Sequence, residues 1–89
     1  KDLYWYEKAA EQKEPISMGM AASLLLEGDG VARNCEKGLD WLNKAMDVGD
    51  FESHVVMARM YQTGHACVKA DPKKAQEVMR KIDELQQKQ

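Results

Sequence analysis

The side chains best equipped for chemistry are two cysteines, Cys35 and Cys67, and two histidines, His54 and His65. His65-x-Cys67 together with Cys35 supplies three zinc-type ligands, but a fourth is not evident and no CxxC pair anchors the set, so no metal site is expected. A disulfide between the cysteines requires Cα atoms within about 7 Å, a condition that the sequence leaves open. The other state is two unpaired thiols in a reducing compartment. His54 falls on the core side of its helix and is expected to be a hydrogen-bonded packing residue. Enzyme chemistry finds no footing. There is no glycine-rich phosphate cradle after a strand, no Gly-x-Ser-x-Gly elbow, and no carboxylate pair isolated among apolar residues, so neither catalysis nor a cofactor is expected.

What remains is chemistry of recognition. Arg59 can grip a carboxylate in two-pronged geometry. Met46, Met57, Met60 and Met79 lie on or near expected core stripes and read as filler, whereas Met18 and Met20 are undecided. Trp5 and Trp41 stand at equivalent places and are expected to pack, Trp5 with more of its ring exposed. Placing these residues needs the elements that carry them.

The elements repeat. Trp5, Lys8 and Ala9 recur as Trp41, Lys44 and Ala45, and Ala22, Leu25 and Gly28 recur as Ala58, Tyr61 and Gly64, at an offset of 36 residues. Beyond that glycine the offset becomes 37, with Val31, Asn34, Lys37, Gly38 and Trp41 facing Val68, Asp71, Lys74, Ala75 and Val78, as a one-residue insertion in Gly64 to Val68 requires. Each unit reads as two helices. Helix A spans about Pro15 to Glu27 and again Asp50 to Thr63, with proline suited to a first turn and Gly28 and Gly64 closing the ends. Helix B starts at the caps Asn34 and Asp71, the second reinforced by Pro72. Its apolar stripe is Gly38, Trp41, Leu42, Ala45 and Met46, then Ala75, Val78, Met79, Ile82 and Leu85. Leu3 to Glu11 match the later half of helix B, so the order is B, A, B, A, B. One domain over 1–89 is expected, with helix B of a preceding repeat in 1–13, one repeat in 14–49 and another in 50–86. It is either part of a longer array or a self-associating minimal one.

The run Ala22-x-x-Leu25-x-x-Gly28-x-Gly30-Val31-x-x-Asn34-x-x-Lys37-Gly38-x-x-Trp41-Leu42-x-Lys44-Ala45 resembles the Sel-one-like repeat (SLR) pattern, a longer-looped relative of the tetratricopeptide repeat (TPR). The match extends over nearly the whole chain. Ala22 and Ala58 stand where the family usually has glycine, and Leu25 where it has the tyrosine kept here as Tyr61. The resemblance implies an all-α fold: a TPR-like α-α superhelix, or solenoid, of antiparallel hairpins, with the A helices lining the concave side. It also implies a scaffold for protein complexes, a role found often in bacteria. Cysteine pairs close together within one repeat, which some secreted members use, are absent here.

If Ala21, Ala22 and Leu25, with Met57, Ala58 and Tyr61, face helix B, the opposite stripe of helix A is fixed by periodicity. It holds Ile16, Gly19, Ser23, Leu26 and Glu27 in the first copy and Glu52, Val55, Arg59, Gln62 and Thr63 in the second. These ten residues are the expected partner-binding groove, its ligand a peptide or helix of another protein. Composition agrees. With 13 basic and 15 acidic residues and no basic block, nucleic acid is not an expected partner. No apolar run nears the roughly 20 residues of a membrane span, so no membrane insertion is expected. The first residues show no signal-peptide pattern; the cytoplasm is the first expectation, the periplasm or secretion following if a signal lies upstream. A homo-oligomer is the alternative assembly.

Overall fold

A computed structural model describes residues 2–88. Its helices are α1 (Leu3–Glu11), α2 (Pro15–Glu27), α3 (Cys35–Asp47), α4 (Phe51–Thr63) and α5 (Pro72–Gln87), and no strand occurs among the described residues. The chain divides into two compact units, one running to Asp50 and holding α1 to α3, the other starting at Phe51 and holding α4 and α5.

Local chemistry sets the boundaries. Pro15 and Pro72 occupy first-turn positions, where a missing N–H costs nothing. The Asn34 carboxamide oxygen accepts the Lys37 N–H at 3.1 Å, and the Asp71 carboxylate accepts the Lys74 N–H at 3.2 Å, each satisfying a first-turn donor. At the other end of α2 the chain turns left-handed at Gly28 (φ 67°, ψ 35°), whose N–H returns to the Leu24 carbonyl. A Cβ there would carry the αL penalty and also press on the Arg33 Cβ at 3.3 Å.

In the first unit α2 packs on both α1 and α3. Gly38 near the start of α3 lies against Leu26 near the end of α2, while Ala45 near the end of α3 joins Met18 near the start of α2 and Ala10 of α1. The α2–α3 pair is therefore antiparallel. Packing on two partners gives α2 a wide buried face of two adjacent rows: Ser17, Met18, Ala21, Ala22, Leu25 and Leu26. Helix α3 has one buried stripe, Gly38, Leu42 and Ala45, as its periodicity predicts, with Met46 half-buried beside it. Trp41 is half-buried against Ala10, Met18 and Ala45. Its indole N–H donates to Glu7 of α1 at 2.9 Å, and Lys37 pairs with the same carboxylate oxygen at 3.4 Å.

In the second unit α4 packs on α5. Ser53, His54, Met57, Ala58 and Met60 are buried on α4, and Ala75 on α5, with Val78, Met79, Ile82 and Leu85 half-buried. The connection folds back on itself. His65 and Val68 exchange backbone hydrogen bonds at 2.8 and 3.1 Å, and the Asp71 N–H returns to the Tyr61 carbonyl at 2.7 Å. Among the described residues no helix is long and apolar enough to cross a membrane.

Candidate functional site

The exposed side of α2 is set by what its partners leave uncovered. Ile16 is 73% exposed and Met20 41%, one turn apart, followed by exposed Ser23 and Glu27, with Gly19 half-exposed beside them. A helix whose back is buried on two rows thus shows two large apolar side chains on its front. Both side chains stay largely outside the packed face of α2.

One expected groove residue is elsewhere. Leu26 is 2% exposed and lies in the hairpin over Gly38, where an added Cβ would stand 2.8 Å from the Leu26 Cγ. The wide buried face of α2 takes in this position, so Leu26 belongs to the core and not to the groove. Met20, which periodicity left undecided, takes the place on the stripe; its spacing of four from Ile16 was the available signal. Met18, the other undecided methionine, is buried.

On α4 the exposed stripe is Glu52 and Arg59 with half-buried Val55 between them. Gln62 and Thr63 are exposed but committed within their own unit. The Gln62 amide reaches the Met79 sulfur of α5 at 3.6 Å, and the Thr63 hydroxyl turns back to the Arg59 and Gly64 carbonyls at 3.1 and 3.2 Å. Trp5 is 67% exposed and Tyr4 55%, the rings edge to face at 5.0 Å.

The residues singled out for metal or redox chemistry serve structure. His65 Nδ1 accepts the Cys67 N–H at 3.0 Å, tying the α4–α5 connection, and His54 is buried on α4. Neither cysteine is a free thiol: both are disulfide-bonded, which decides the state that the sequence left open. Among the described residues no cluster of His, Cys, Asp and Glu is arranged to hold a metal ion.

Comparison with known proteins places this geometry. The model of the Sel1 repeat family matches residues 3–14, 15–50 and 52–79. The crystal structure of a Sel1 repeat protein from Oxalobacter formigenes aligns with a TM-score of 0.77 at 25% sequence identity, covering 93% of this chain and 34% of that one. The chain therefore spans about a third of that protein's length. No curated protein matches it. The fold class is that of an all-α, TPR-like repeat solenoid, as the sequence resemblance implies.

Proposed function

This chain belongs to the Sel1 repeat family, and from that premise we propose that it is a non-catalytic module which holds a peptide or helix of a partner protein on the exposed stripes of its A helices. Sel1 repeats are in general protein-interaction modules and non-catalytic scaffolds. The observation that carries the proposal is the pair Ile16 and Met20, large and apolar on the open side of a helix whose other side is fully packed. On the second unit Val55, Arg59 and Glu52 offer one half-buried aliphatic group between opposite charges. Apolar anchors would supply affinity, and Arg59 would select a partner carboxylate.

The test is capture of the native partner from its own cell extract, followed by two double variants, Ile16→Asp with Met20→Asp and Val55→Asp with Arg59→Glu. Each pair is expected to abolish capture and leave the helical circular dichroism signal unchanged. Capture that survives both pairs sinks the assignment.

A second reading, self-association, draws on a different observation. Trp41 is half-buried and donates to Glu7, whereas its counterpart Trp5 lies 67% exposed beside exposed Tyr4. In this reading the face around Leu3 and Trp5 meets the terminal helix of another copy.

A further inference from the structure

The six methionines do not share one environment. Met18, Met57 and Met60 are buried, and Met46 and Met79 are half-buried. The Met79 sulfur also accepts the Gln62 amide at 3.6 Å. Met20 alone among the six is exposed, on the front of α2, one turn after exposed Ile16. Met18 stands two residues away on the same helix, inside the packed face, so one element presents both extremes.

Exposure decides the chemistry of a thioether. A thiol must first lose its proton, whereas a thioether sulfur already carries the lone pair that reacts and needs only an oxidant within reach. Neither cysteine is a free thiol, so no thiolate stands ahead of the methionines as a target. Met20 is therefore the sulfur most open to an oxygen donor from solvent. The product is a sulfoxide, polar and chiral where the parent side chain is apolar and flexible. In a core that change disrupts packing. At Met20 it leaves the buried rows of α2 untouched and alters only what the helix shows outward.

We propose that Met20 is the site at which a hydroperoxide modifies this chain, and that its oxidation releases a partner from the α2 stripe with the fold intact. The sulfur attacks the terminal peroxide oxygen. The S–O bond forms as the O–O bond breaks, and the proton passes to the departing oxygen, which leaves as water or an alcohol. Sulfur gives up two electrons and the peroxide takes them. Beside Ile16, one of two apolar anchors then becomes polar, and the affinity that it supplies is lost. Release of the partner rests on the A-helix reading, whereas the site of oxidation does not.

The experiment treats the whole chain with dilute hydrogen peroxide. Mass mapping with fragmentation, which separates Met20 from Met18, is run beside circular dichroism and retention on a phenyl matrix, a probe of exposed apolar surface. Met20 is expected to gain its oxygen before each of the other five. The chain oxidised there alone should keep its helical signal, elute earlier from the matrix and lose capture of the partner from the native cell extract. In Met20→Leu, capture before and after peroxide should be equal, while Met46→Leu with Met79→Leu should lose it as the parent does. Another methionine oxidised first, unchanged retention, or a helical signal that falls with the first oxygen overturns the site. Peroxide sensitivity that persists in Met20→Leu overturns release. So does capture that survives the sulfoxide although Ile16→Asp with Met20→Asp abolishes it. Capture that survives both sinks the A-helix reading and release with it, and the mapping then decides the site alone.

Discussion

At the scale of single residues the most informative position is Gly38. An added Cβ would meet the Leu26 Cγ at 2.8 Å and the Leu26 N at 3.2 Å, so the α2–α3 approach depends on hydrogen at this site. Gly38→Ala improves helix propensity by about 1 kcal/mol, but overpacking costs about 1–3 kcal/mol. The expected net loss is about 1 kcal/mol, read as a lower urea midpoint, and the same change made in a Leu26→Ala background should cost nothing. An unchanged midpoint in the first case removes the clash argument. The sequence held a signal for this that simple periodicity passes over. Leu26 with Gly38 in one copy answers to Gln62 with Ala75 in the other, a large and small pair exchanged for a polar and medium one. In the structure Leu26 is buried over Gly38, whereas Gln62 is exposed and Ala75 buried. Reading the two positions jointly would have moved Leu26 into the core, where its burial contributes about 2 kcal/mol.

Elements were legible wherever their ends are chemical. Asn34 and Asp71 cap the helices they were expected to cap, and α2 runs from Pro15 to Glu27 as its proline and glycine dictate. The breadth of buried face was harder to see, since the number of partners a helix packs on is a tertiary fact that one strip of sequence does not carry. That is why α3, with one stripe, was read correctly and α2, with two rows, gave up Leu26 and hid Met20. The left-handed stop at Gly28 yields a prediction at this scale. Gly28→Ala should cost about 1–2 kcal/mol, lowering the melting temperature, with the far-UV helical signal at 20 °C unaltered. A melting temperature at or above that of the parent would mean that the loop finds another closure.

For the molecule as a whole, repetition was the strongest sequence feature and carried the fold class, while the state of the cysteines was not readable from it. Spacing alone does not fix the distance between two cysteines 32 residues apart. The self-association reading is decided at this scale. Sedimentation over a concentration series is expected to show a rising average mass that Trp5→Lys abolishes, because the substitution puts a charge in the exposed aromatic patch. A constant monomer mass for the parent chain at millimolar concentration leaves the patch without that role.

The bond from the Trp41 indole to Glu7 bears on how such units can be ordered. Glu7 stands two residues after Trp5, and its carboxylate accepts the indole N–H of the tryptophan one repeat later. The matching position after Trp41 is Asn43, and the repeat that follows has Val78 where a tryptophan would be. An acid meets an indole in the first case, and the corresponding positions of the following copies hold an amide and an aliphatic side chain. Exchanging the repeats would separate Trp41 from Glu7 and leave an indole N–H facing no carboxylate, so modules alike in pattern are not interchangeable in sequence.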